Sequence, residues 1–181
     1  MKNLVLLVLF IFSISEIKAQ SFYGDNPLAH TYSIVALDPE TGDMGVAVQS
    51  HWFLVGPLVA WGKAGVGVVA TQSFINVSFG PRGLELLEKG FTPQQVVDTL
   101  LSTDEGRDVR QLAVLDITGD AASYTGKNCI PFAGNIVGEN YSVQANLMLT
   151  DDVPTAMAKS FESSNGPLAE RLVAALKAAE S

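Results

Sequence analysis

The stretch AHTYSIVALDPETGDMGVAVQS, Ala29–Ser50, decides how this chain is read. TYSIVALD and DMGVAVQS each read as a strand, the first alternating as a strand with one buried face does. PETG between them carries the proline and glycine of a tight turn, so the pair predicts an antiparallel hairpin. Thr31 stands at the start of the first strand. It is either a nucleophile placed there for chemistry or a β-branched residue suited to opening a strand.

Upstream, Lys2 and the apolar run LVLLVLFIF read as the n- and h-regions of an export signal, and Ala19 offers a small residue at a cleavage point. The apolar run is short for a membrane span. The expectation is a signal peptide over 1–19, an extension or pro-segment over 20–30, and one domain over 31–181, in a periplasmic or secreted protein. The formal net charge is −8; without residues 1–19 the chain keeps 9 basic and 18 acidic groups, net −9. Such a surface repels nucleic acid and anionic lipid, so neither is an expected partner, and no membrane association is expected once the signal is removed.

Downstream of the hairpin, HWFLVGPLVAWGKAGVGVVATQS is largely apolar, but its glycines and Pro57 break any membrane helix. It reads as a loop followed by a strand at AGVGVVATQ buried on both faces. GPRGLELLEKG reads as a helix beginning near Pro81. TPQQVVDTLLST reads as a second, with Thr92 as N-cap and Gln95 closing a capping box. RQLAVLDITGDAASYTG reads as another hairpin, turning at TGD, and NYSVQANLML as a further strand. DDVPTAMAKSFESS and GPLAERLVAALKAAE then read as two helices, the second with Leu168, Leu172, Val173 and Leu176 on one face. Hairpins separated by helix pairs predict an α+β layered fold with helices packed on sheets.

The chemistry-bearing residues form no familiar motif. There is no Walker loop or G-x-S-x-G elbow, and GVGVVA lacks the third glycine of a dinucleotide turn. Cys129 is the only cysteine. With His30 and His51 it shows no metal-ligand spacing, so no metal, cofactor or disulfide is expected, and Cys129 reads as a buried structural thiol. What remains are amides and hydroxyls at strand ends: Gln49, Ser50, Thr71, Gln72, Ser73, Asn76, Thr125, Asn128, Gln144 and Asn146. Such groups bind a polar substrate or stabilise an oxyanion, or else they satisfy turns and buried backbone. Arg82, where a glycine-containing loop enters a helix, suits a substrate carboxylate.

TYSIVALDPETGDMGVAVQSHWFLVGPLVAWGKAGVGVVATQSFINVSFGPRGLELLEKG, with GKNCIPFAGNIVGENYSVQANLM and GPLAERLVAAL, resembles the bacterial family known as domain of unknown function 1028, from about Thr31 to Ala178. The resemblance implies the αββα four-layer sandwich of antiparallel sheets of the N-terminal nucleophile (Ntn) hydrolases, here without its C-terminal strands. It implies a hydrolase of a non-peptide or peptide-like amide bond with Thr31 as nucleophile; residue chemistry then suggests Asn146 or Gln144 at the oxyanion, and Arg82, Gln49, Ser50, Thr71, Gln72 and Asn128 toward the substrate. In that mechanism the free α-amine of the first residue is the base for its own side chain. Cleavage at Ala19 exposes Gln20 instead, so a second cut at His30–Thr31 is required. The expected partner is a small amide or peptide-like substrate, and Ntn folds often assemble as homo-oligomers. The alternative is a catalytically inactive cell-envelope binding domain with the same fold.

Overall fold

The computed structural model describes residues 30–180; the expected signal peptide and most of the expected 20–30 extension lie outside the described residues. The hairpin is present: β1 (Thr31–Leu37) pairs antiparallel with β2 (Met44–Ser50), Thr31 opposite Ser50 and Leu37 opposite Met44. The turn holds because Asp38 Oδ1 accepts the Glu40 N–H, and Gly42 takes a φ of 76° that a side chain would resist.

The apolar run that follows divides further than expected. It forms a short helix α1 (Gly56–Val59), a strand β3 (Ala60–Lys63) and then β4 (Gly67–Ser73), which is buried on both faces. Helix α2 (Phe79–Glu88) starts two residues before Pro81, and α3 (Pro93–Ser102) carries the capping box between Thr92 and Gln95. The second hairpin is β5 (Arg110–Asp116) and β6 (Ala121–Thr125). GNIVG forms β7 (Gly134–Gly138), which pairs with β8 (Tyr141–Asn146). Helices α4 (Val153–Ser163) and α5 (Leu168–Ala178) follow.

The strands make two antiparallel four-stranded sheets, ordered β2-β1-β8-β7 and β3-β4-β5-β6. Three apolar cores give the layering. Tyr32, Ile34, Tyr141 and Val143 pack under Met157 and Phe161 of α4 and Leu172 and Ala175 of α5. Val69, Leu112 and Val114 pack under Phe79, Leu84, Val96 and Leu100 of α2 and α3. Between the sheets lie Val35, Leu37, Val68, Ala70, Ala113 and Leu115. The period-two alternation of each strand separates the outer core from the inner one.

Two local expectations change. On α5, Val173 is 48% exposed, while Ala175 and Ala179 join Leu168 and Leu172 in the core. That spacing of four, three and four keeps one helical face, from which Val173 is turned away. Cys129 is only half-buried, its Sγ donating to the Arg110 carbonyl at 3.4 Å. Burial, then a hydrogen bond to Glu180, pushes the Tyr32 phenol above the ordinary tyrosine range; burial and Glu162 do the same to Tyr141. No helix of the described residues is long and apolar enough to cross a membrane.

Candidate active site

The space between the sheets is divided along its length. Toward the ends of β1 and β5 it is apolar, as given above. Toward their starts the inward side chains of β1, β4, β5 and β8 are hydroxyls and amides. Register explains why: Gln72 stands opposite Gln111, Ala70 opposite Ala113 and Val68 opposite Leu115, so both strands run from polar to apolar on the same face in the same spatial direction. In the other sheet Thr31 stands opposite Asn146 and Ser33 opposite Gln144.

The polar half is one connected network. Ser33 Oγ donates to Gln72 Oε1 at 2.6 Å, and Gln144 Nε2 donates to Ser33 Oγ at 2.6 Å. Gln72 Nε2 and Asn146 Nδ2 both donate to Gln111 Oε1 at 2.9 Å. Gln111 Nε2 faces Thr125 Oγ1 at 3.0 Å and the carbonyls of Gly134 and Ala145 at 3.2 and 2.9 Å. Thr125 and Ser123 continue it through Asn135. Eight side chains thus tie six strands across the two sheets, which buried amides require if they are not to remain unsatisfied.

Thr31 lies at the outer margin of this network, 8% exposed. Its hydroxyl shares a hydrogen bond of 2.8 Å with that of Ser50, which also accepts the Trp52 N–H at 3.2 Å. On the other side of the His30–Thr31 bond, the His30 carbonyl accepts the His51 N–H at 3.3 Å and lies 3.4 Å from His51 Nδ1. A hydroxyl with a polar partner therefore adjoins a carbonyl already polarised by N–H donation.

Because all the strands are antiparallel, β2, β4, β6 and β8 end where β1 and β5 begin. The loops leaving them carry Leu54, Ser73, Phe132 and Leu147, all with φ between 57° and 66°. Non-glycine residues held in the left-handed region concentrate at functional sites. Ser73 adds a buried hydroxyl without a hydrogen-bond partner. Arg110 braces this end: Nε donates to Asp104 Oδ2 at 2.7 Å, and Nη1 to the Phe74 carbonyl. The Arg110 hydrogen bond holds the Asp104 carboxyl below its ordinary value.

Of the residues singled out in the sequence, Thr31, Ser50, Gln72, Thr125, Gln144 and Asn146 meet here, with Ser73 at the end of β4 beside them. Gln49 is exposed on the opposite face of β2 from Ser50. Thr71 is buried on the outer face of β4 and reaches the Asn76 carbonyl at 3.5 Å. Arg82 is exposed and reaches Thr103 on α3 at 3.4 Å, and Asn128 is exposed, its backbone N–H on the Asp108 carbonyl. Sequence reading missed Ser33, Gln111 and Asn135. A cleft of about 530 Å³ lies at the far end of the sandwich, lined by Asp38, Glu40, Glu139, Glu162 and Arg171 among others. No hydroxyl-to-hydroxyl pair like that of Thr31 and Ser50 lies along it among the described residues, so geometry favours the Thr31 end for chemistry. Among the described residues no three His, Cys, Asp or Glu are placed to hold a metal ion.

The model of a family described as "Family of unknown function (DUF1028)" matches residues 31–181. Among solved structures, the crystal structure of a protein from Silicibacter pomeroyi, attributed to the same family model, is similar at 35% identity with a TM-score of 0.81. The match covers 84% of this chain and 68% of that one. No curated protein matches the chain.

Proposed function

The chain belongs to the DUF1028 family, and we propose that it is an exported amide-bond hydrolase of the Ntn type, built on that superfamily's αββα sandwich and activated by cleavage of the His30–Thr31 bond. The observation that carries this reading is the pairing of Thr31 Oγ1 with Ser50 Oγ at 2.8 Å, beside a His30 carbonyl held by His51. Export rests on the leader-like segment 1–19.

Activation follows from those contacts. Thr31 Oγ1 attacks the His30 carbonyl carbon, the oxygen of which gains charge toward the His51 N–H. The peptide C–N bond breaks, leaving an ester on Oγ1 and a free Thr31 amine, and water hydrolyses the ester. The freed amine, with an ordinary pKa of about 8, then takes the Oγ1 proton when a substrate amide binds. Oγ1 attacks the substrate carbonyl, the amine product leaves with that proton, and water releases the acid. Asn146, directly across from Thr31, is better placed for the oxyanion than Gln144, which is deeper and donates to Ser33.

One observation favours a second reading, a binding domain without chemistry: the amides between the sheets bond to one another, so a substrate must displace existing partners. Mass spectrometry of the exported full-length protein separates the two. A mature chain beginning at Thr31 is expected, and Thr31→Ala is expected to stay unprocessed and inactive, while Thr31→Ser is processed and retains turnover. A wild-type chain that remains at Gln20 overturns the hydrolase reading.

A further inference from the structure

The Thr31 end joins two features that seldom occur together: an interior of neutral polar groups and a rim of exposed aromatic and aliphatic ones. Trp52 is 68% exposed, Phe53 94% and Phe74 55%, and Phe132 and Leu149 are also exposed. None is remote from the network. The Trp52 N–H bonds the same Ser50 oxygen that bonds Thr31. Phe74 follows Ser73 at the end of β4, and its carbonyl is held by Arg110. Phe132 lies two residues before Gly134, whose carbonyl accepts from Gln111, and Leu149 lies three after Asn146. Leu54, beside Phe53, and Phe132 itself are in the left-handed backbone region. The apolar side chains are thus displayed by strained loops around the polar end of the space between the sheets, which a ligand would have to open.

Arg110, Lys127 and His51 at this end already have partners. Arg110 is engaged by both Asp104 oxygens and by the carbonyls of Phe74 and Ile75. Lys127 pairs with Asp108 at 3.1 Å, and the His51 ring faces the His30 carbonyl. In the unprocessed chain a carboxylate or ammonium brought between the sheets would meet only hydroxyls and amides, and an unpaired charge removed from water is strongly disfavoured; in the processed chain a carboxylate would hold the freed Thr31 amine protonated, the form that cannot act as the base. A neutral amide meets partners of its own kind.

We propose that this end selects a neutral amide bearing an aromatic or branched aliphatic acyl group, with the apolar group against Trp52, Phe53 and Phe74 and the amide directed to Thr31. This rests on the hydrolase reading for turnover, but not for binding. The selectivity is therefore measured both ways.

The full-length exported protein is assayed against 4-nitroanilides that share one leaving group and carry phenylacetyl, isovaleryl, acetyl, succinyl or glycyl acyl groups. The expected kcat/KM for phenylacetyl and isovaleryl exceeds that for acetyl, anionic succinyl and cationic glycyl by about tenfold or more, the range one apolar pocket supplies. Trp52→Ala and Phe53→Ala, both at exposed positions, lower the phenylacetyl-to-acetyl ratio severalfold. In parallel, calorimetry on the unprocessed Thr31→Ala protein compares phenylacetamide with phenylacetate and phenethylamine, the neutral ligand being expected to bind most tightly. Preference for a charged acyl group or ligand, an unchanged ratio in both variants, or no binding of phenylacetamide at millimolar concentration overturns the inference. Selective binding of phenylacetamide with no turnover of any anilide overturns the hydrolase reading and leaves the inference standing.

Discussion

At the scale of single residues, Gln111 is the most constrained position in the site. Its amide bonds Gln72, Asn146 and Thr125 and two backbone carbonyls, those of Gly134 on β7 and Ala145 opposite it on β8. Gln111→Leu keeps the volume and strands all of these partners without water. Each buried orphan costs about 1–3 kcal/mol, with partial relaxation shared among them. A loss of about 3 kcal/mol or more in urea unfolding is expected, against under about 1 kcal/mol for Gln49→Leu on the exposed face of β2. Gln111 was not legible as a site residue, because in RQLAVLD a polar residue near a strand's start reads as a boundary. The available signal was the alternation: Gln72-Ala70-Val68 and Gln111-Ala113-Leu115 grade alike, from polar to small to large, on their shared face. Which sheet lies opposite that face is a tertiary fact, and so the partners Ser33 and Gln144 were beyond local pattern. Thr31 stood out at the start of its strand and became the candidate nucleophile through family resemblance; Ser50, Gln72, Gln144 and Asn146 stood out as strand-end hydroxyl and amides.

Individual elements show where local chemistry is sufficient. The Thr92–Gln95 box is visible in the letters TPQQ and present in the structure, since an N-cap is satisfied within four residues. Thr92→Ala removes the acceptor for the Gln95 N–H at 3.3 Å and is expected to destabilise the protein by about 1 kcal/mol, read as a fall in the urea midpoint at unchanged slope. Strand β3 is the opposite case. AWGK has only four residues and no clear alternation, and it becomes a strand because β4 offers an edge and Trp61 covers α2. There, Gly80 is required: a Cβ would come within 2.2 Å of the Trp61 ring. Helix α5 shows how a correct element can carry a misjudged face. Leucines and valine dominated the reading of its apolar stripe, whereas alanines at 175 and 179 fill the close approach to the sheet.

For the molecule as a whole, acid response is set by the brace at the site end. Asp104 has a pKa below the ordinary carboxylate value because Arg110 bonds its ionised form. A lowered pKa in the folded state contributes stability above the unfolded value, about 4, and that contribution is lost as pH falls through the folded one. The urea midpoint of the wild type is therefore expected to decline below about pH 4 more steeply than that of Asp104→Asn, the two curves converging at the acid end. The two-sheet, helix-covered architecture was legible as a class from hairpins alternating with helix pairs. The pairing of β1 with β8, 105 to 115 residues apart in sequence, was not, because no local pattern encodes which distant strand completes a sheet.

The graded interior also sets how the molecule moves. Parting the sheets at the apolar end exposes Val35, Leu37, Val68 and Leu115 to water at about 25 cal/mol per Å². Parting them at the polar end exchanges amide–amide bonds for bonds to water, a net change of only about 0.5–1.5 kcal/mol per bond. The sandwich is thus fastened at one end and free to breathe at the other. Native-state hydrogen exchange is expected to show the amide protons at Thr31–Ser33 and Gln144–Asn146 released by small local openings. Those around Val35 and Ala113 wait for global unfolding. Equal protection along β1 would mean that the hydrogen-bonded half is as rigid as the greasy half. A gradient would give the entrance the give that a substrate needs to slip between two saturated sheets.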